Sequence, residues 1–227
     1  MRINNKFVII NMNSNFINNK EISIKCVVVG DSNAGKSSLL NRYIRDVFDL
    51  LGGEPTIGSS FFHKHIVEEG IKYRFDMWDT AGQERYRSLM PMYYRNSEIV
   101  FICFELSRPD FMEQIRYWIN ELNKHSNKLN AEIVLVATKC DLIPTAILEH
   151  NIYLITNKFP YSSFYTSSKN NINVSELFDV SFKKIIKNRK KDLILENNNK
   201  KANIIEVFEV EEEQSNRCYN NLFCIIS

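Results

Sequence analysis

The sequence predicts an α/β fold: a six-stranded, mostly parallel sheet with one antiparallel strand, in three layers with about five flanking helices. Three observations carry this. From Ile22 onward, short β-branched runs alternate with amphipathic stretches, the pattern of strands joined by crossover helices. The runs at 98–104 and 131–137 are nearly all apolar, as strands covered on both faces are. And Gly30-Asp31-Ser32-Asn33-Ala34-Gly35-Lys36-Ser37 links the β-branched run 22–29 to a helical pattern, Leu39, Leu40, Tyr43 and Ile44.

In chain order, strands are expected at 22–29, 60–67, 72–78, 98–104, 131–137 and 161–166. Glu68-Glu69-Gly70 reads as a hairpin turn, which makes the second strand the antiparallel one. Helices are expected at 36–45, 84–94, 110–126, 145–157 and 174–189. In the last, Val174, Leu177, Phe178, Phe182, Ile185 and Ile186 recur at helical spacing and mark its buried face. The domain is expected to span 21–190. Residues 1–20 are rich in asparagine and read as a disordered extension, with a transit peptide as the alternative because they lack acids. Arg2 excludes myristoylation, and 191–227 read as a flexible tail.

Composition removes several function classes. A formal net charge of +2 gives no case for nucleic acid as a partner. The five cysteines are scattered and form no CxxC pair, which excludes a zinc site and a disulfide framework and fits a reducing compartment. No apolar run reaches the ~18 residues needed to cross a bilayer.

The stretch GxxxxGKS is built for phosphate. A loop wrapped around an anion aims successive backbone N–H groups inward, and the helix behind it adds a partial positive end. Ser32, Asn33, Ala34, Gly35, Lys36, Ser37 and Ser38 would form that cradle. Lys36 would reach the β and γ phosphates, and the Ser37 hydroxyl would hold Mg²⁺. Farther on, Asp79-Thr80-Ala81-Gly82-Gln83-Glu84 follows the third strand. There an acid can hold Mg²⁺, Gly82 can offer its N–H to a γ-phosphate, and Gln83 can orient an attacking water.

Residues 30–37, 78–86, Thr138-Lys139-Cys140-Asp141 and Thr166-Ser167-Ser168-Lys169, in that order, resemble the small GTPases of the Ras superfamily. The segments 57–61, 85–89 and 91–95 are similar to the Rab branch, and to its early-endosomal subfamily in particular. The resemblance implies the P-loop GTPase fold, GTP or GDP as bound nucleotide with Mg²⁺, and a monomer. It implies Thr56 as a ligand of Mg²⁺ and γ-phosphate and Phe48 against the guanine ring. Thr138, Lys139, Asp141, Ser167, Ser168 and Lys169 would surround the base, with Asp141 accepting from N1–H and the 2-amino group. Adenine lacks that donor pair, so the carboxylate would select guanine. Ile57, Gly58, Phe61, Trp78, Tyr86, Leu89 and Tyr93 would present the surface on which effector proteins dock. An exchange factor, a GTPase-activating protein and a dissociation inhibitor or escort are the other implied partners.

Three departures from the family stand out. Thr138 replaces the usual Asn of the Rab branch, with a modest expected loss of affinity, although the Rho branch uses Thr. Asn33 replaces a Gly or Ala and is expected to slow or redirect hydrolysis if its side chain meets the γ-phosphate. From Phe48 to Thr56 is eight steps, one more than the family pattern, with Gly52 and Gly53 expected to absorb the extra residue in a loop that is mobile with GDP bound. The chain ends in Cys224-Ile225-Ile226-Ser227, a CaaX box whose Ser favours farnesylation. One lipid anchors only marginally, so Cys218 is a candidate palmitoyl site and the basic residues at 183–191 a further anchor. The expected function is a GTP-hydrolysing switch of endosomal trafficking, working on the cytoplasmic face of early endosomes or related vesicles. No arginine is matched to complete the site in cis, so turnover unaided should be on the order of 10⁻³ s⁻¹ or below. The alternatives are a GTP-bound scaffold without catalysis, a phosphoryl-transfer kinase, and a Ras-like signalling role.

Overall fold

The computed structural model describes residues 21–51, 53–124 and 131–192; Gly52, Cys218, Cys224 and the two terminal segments lie outside them. Residues up to Ser181 form one unit, and Phe182 begins a second. In the first unit the strands are β1 (Glu21–Val29), β2 (Ser59–Glu68), β3 (Ile71–Thr80), β4 (Ile99–Glu105), β5 (Glu132–Thr138) and β6 (Ser162–Tyr165). They lie in the order β2-β3-β1-β4-β5-β6, with β2 antiparallel to β3 and every other pair parallel. Glu69 and Gly70 both take positive φ, 51° and 78°, the turn that matches strand twist in a two-residue hairpin.

β1 and the apolar β4 stand at the centre of the sheet, with the apolar β5 beside β4. On one face, Val27, Ile102, Phe104 and Leu135 pack with Ile115, Trp118 and Leu122 of α3 (Phe111–Lys124). On the other, Tyr43 of α1 (Lys36–Arg45) stacks on Phe178, ring centroids 4.0 Å apart, and Phe101 of β4 meets the same ring at 5.1 Å. Burying each such large side chain is worth about 1.5–3 kcal/mol. The remaining helices are α2 (Met90–Tyr94), α4 (Thr145–Lys158) and a helix that ends the first unit over 174–181. Residues 182–192 of the second unit are helical as well.

One expectation needs correction. The segment 84–94 is not one helix: Glu84–Leu89 forms a 3-10 turn with no buried residue, and α2 begins only at Met90. Pro91 stands in the first turn of α2, where its missing N–H costs nothing and its fixed φ starts a helix. Nothing apolar in 84–89 is buried to hold a regular helix against the sheet.

A braced phosphate loop and an exposed switch segment

All parallel strands point their carboxyl ends at one edge of the sheet, and the loops there form the site. β1 ends at Val29 and the chain turns through Gly30, at φ 146°. A Cβ on Gly30 would collide with the Cys103 carbonyl of β4, so only glycine lets the loop start there. Asn33 follows at φ 62°, a left-handed conformation that Asn tolerates better than other side chains. Gly35, at φ 78°, stands directly before α1.

Lys36 is buried, and its ammonium donates to the Gly30 and Asp31 carbonyls at 2.9 and 2.8 Å. Burial lowers its pKa, with nearby Cys103 and Asp79 opposing that shift. Two further residues hold the loop from elsewhere. The Thr138 hydroxyl, buried at the end of β5, lies 2.9 Å from the Ala34 carbonyl and 3.0 Å from that of Phe104, sharing its one proton between them. The Trp118 indole N–H donates to the Asp31 carboxylate at 3.1 Å. Thr138 was expected at the base; its hydroxyl faces the phosphate loop. Trp118 was legible only as a core residue of an amphipathic helix.

A cavity of about 620 Å³ opens beside this loop, lined by residues 32–38 together with Pro55, Thr56, Thr80, Gly82 and Gln83. The Ser37 and Thr56 hydroxyls lie 2.9 Å apart, and the Thr56 hydroxyl reaches Asp79 Oδ2 at 3.5 Å. Asp79 is buried, and its Oδ1 has no hydrogen-bond partner among the described residues. Burial raises the Asp79 carboxyl above its ordinary range, opposed by Ser37, Lys36 and Thr56. An orphaned buried carboxylate oxygen beside two hydroxyls is the oxygen-only donor set that a hard divalent cation takes.

Gly82 lies so close to Asp31 and Lys36 that a Cβ would not fit. Gln83 borders the cavity, but its carboxamide oxygen accepts from Arg85 Nε at 2.6 Å. The Ala81 N–H donates to the Gly58 carbonyl at 2.9 Å, joining the segments before and after β2 and β3.

The residues expected at the base form a second group, outside that cavity wall. Asp141 accepts a 2.5 Å hydrogen bond from the Ser167 hydroxyl, which also accepts from the Asn170 N–H at 3.0 Å. Lys139, at φ 56°, pairs with Glu105 at 2.8 Å. Burial raises the Glu105 carboxyl, but hydrogen bonds from Lys139 and Ser107 outweigh it and leave the pKa lowered. Phe48 is half-buried and does not line the cavity.

Comparison with known proteins agrees with this geometry. The model of the Ras family matches residues 25–187. The chain is 36% identical to human Ras-related protein Rab-22A over 156 residues, covering 68% of this chain and 79% of that protein. It is 37% identical to Ras-related protein RABF2a of Arabidopsis thaliana over 163 residues, 70% and 80% of the two chains. It is 36% identical to GTP-binding protein ypt5 of Schizosaccharomyces pombe over 167 residues, 72% and 78% of the two. The chain belongs to the Ras family. Within it, it is a Rab-type small GTPase, which binds guanine nucleotide, hydrolyses GTP and works through effectors and regulators.

This GTPase also gathers the aromatic residues expected to face effectors. Phe61 of β2 packs edge-on to Trp78 of β3 at 5.1 Å, and Trp78 meets Tyr93 of α2 at 6.0 Å. Phe61 is 50% exposed, and Ile57, 81% exposed, and Leu89, 39%, are exposed as well. Tyr86, half-buried, carries the Arg85 guanidinium over its ring. Cys26, Cys103 and Cys140 are buried free thiols, and burial pushes the Cys103 thiol up to about 12.

Proposed function

We propose that this GTPase is a switch of endosomal membrane traffic whose site works as follows. The N–H groups of residues 32–38 and the Lys36 ammonium hold the phosphates. Ser37, Thr56 and Asp79 hold Mg²⁺, which when bound offsets the negative charge of the transferring phosphoryl group. The orphaned Asp79 oxygen is the observation that carries this reading, because burying it without a ligand is costly. Gln83 orients the attacking water, for which its carboxamide must leave Arg85. Asp141, aligned by the Ser167 hydroxyl, accepts from the guanine N1–H and 2-amino groups, and the Ser168 N–H meets O6. Thr56 and Gly82 follow the γ-phosphate, so its loss releases the segments that support Phe61, Trp78 and Tyr93.

Early-endosomal action is supported by the similarity to Rab-22A and RABF2a and by the segments at 57–61, 85–89 and 91–95. Prenylation of Cys224, with Cys218 as a second acylation site, would hold the chain on the cytoplasmic face of those membranes. The test of the site is release of fluorescent GDP from the full chain with and without a Mg²⁺ chelator. Chelation should speed release at least about tenfold, the weight of a charge-assisted interaction. Equal rates would remove Ser37, Thr56 and Asp79 from any metal-binding role.

A further inference from the structure

α1 begins at Lys36, in the wall of the cavity proposed for the phosphates, and ends at Arg45. Six residues beyond Lys36, Arg42 turns its guanidinium away from the phosphate loop and across to the loop after β6. Its Nε donates to the Ser168 carbonyl at 2.7 Å and one Nη to the Lys169 carbonyl at 3.4 Å. The other Nη donates to the Asp46 carbonyl at 3.0 Å and pairs with the Asp46 carboxylate at 2.9 Å. The Arg42 side chain is only 15% exposed and its bond to Ser168 is partly buried, whereas the Asp46 carboxylate is 78% exposed and the bonds to Asp46 and Lys169 lie at the surface. Asp46 itself stands at φ 54°, closing α1 with its N–H on the Arg42 carbonyl at 3.0 Å.

A guanidinium offers donors in a rigid plane, so several carbonyls that bind it are fixed relative to one another. Here it fixes the peptide after Ser168 relative to the helix that carries Lys36. We infer that Arg42 is a positioning residue for the guanine base, setting the Ser168 backbone so that its N–H meets O6. This rests on the reading of Ser168 and Asp141 as base-binding residues. It makes α1 a rigid spacer with a phosphate grip at one end and a base grip at the other.

The test compares three nucleotides on the full chain and on Arg42→Ala. GDP is the reference; 6-thio-GDP keeps the N1–H and 2-amino donors but replaces O6 with a weaker acceptor; IDP keeps O6 and lacks the 2-amino group. The variant should lose most of the preference for GDP over 6-thio-GDP, with GDP release about tenfold faster, while its preference for GDP over IDP stays near wild type. That split separates loss of the O6 contact from general loosening, which would lower both preferences together. Two wild-type preferences in the variant, or two equally reduced ones, would overturn the inference. If the alanine variant does not fold, Arg42→Lys decides in the same way. Its single ammonium cannot hold Ser168, Lys169 and Asp46 together, so it must show the same selective loss. A wild-type chain with no preference for GDP over IDP would overturn the base reading itself, and this inference with it.

Discussion

Between Gly30 and Ser37 the loop is held from within by Lys36 on Gly30 and Asp31, and by residues distant in the chain, Trp118 on Asp31 and Thr138 on Ala34. Gly82 and Gln83 border the same cavity, and the segment they open, as far as Leu89, has less support. Its 3-10 turn contains no buried residue, Gln83 is held by Arg85 two positions on, and Arg87 contacts the rest of the fold over the Tyr117 ring at 4.8 Å. Both stretches are recognisable as motifs, yet they differ in how much of the fold supports them. A loop that must meet every nucleotide alike is fastened before the ligand arrives. In the proposed switch, a segment that distinguishes GTP from GDP would have little to hold it until the γ-phosphate did.

Perturbing each side should sharpen that contrast. The largest effect belongs to Lys36→Ala, which removes the ammonium that donates to the Gly30 and Asp31 carbonyls, leaving Asp31 only the Ala34 N–H at 3.2 Å. Affinity for GDP, read by fluorescence titration, should fall about a thousandfold. A loss under tenfold would mean that the backbone cradle alone suffices. Next comes Thr138→Val, which keeps the shape and deletes the buried hydroxyl between Ala34 and Phe104. GDP release should quicken about tenfold while the 82–89 segment is untouched. An unchanged rate would show that the bracing of Ala34 is redundant.

The smallest effect is on Asp79→Asn, at the junction of the two regions. Its carboxyl pKa is raised by burial, so the ionised form is disfavoured in the nucleotide-free fold. The sign follows: that penalty is absent below the ordinary carboxylate pKa and grows as pH rises through the raised value. At neutral pH the neutral Asn should therefore melt no lower than wild type without nucleotide, and slightly higher. The same variant should lose the effect of Mg²⁺ on GDP release. A lower melting temperature together with an intact Mg²⁺ effect would contradict the role given to Asp79.

Much of this architecture was legible because its signals are local. The strand–loop–helix around Gly30–Ser37, the apolar β4 and β5, and the Glu69-Gly70 turn each follow from spacing and backbone preference. What was not legible depends on residues far apart in the chain. Trp118 and Asp31 are 87 positions apart, and Arg42 and Ser168 are 126 apart. In sequence they read as a core aromatic and a polar helix residue. The break in 84–94 is not legible in the sequence because it depends on what those residues bury against the sheet, and 84–89 hold no buried residue. The left-handed backbone at Asn33, which an Asn tolerates, is likewise not legible in the sequence, and Asn33 lines the cavity.

The central claim is that the loosely held segment performs chemistry through Gln83. Single-turnover hydrolysis of GTP by the full chain with Mg²⁺, beside Gln83→Leu, tests it most directly. Wild type should release phosphate slowly, on the order of 10⁻³ s⁻¹ or below, and the variant at least about tenfold more slowly. Equal rates in the two proteins, with GTP bound tightly by both, would contradict the account.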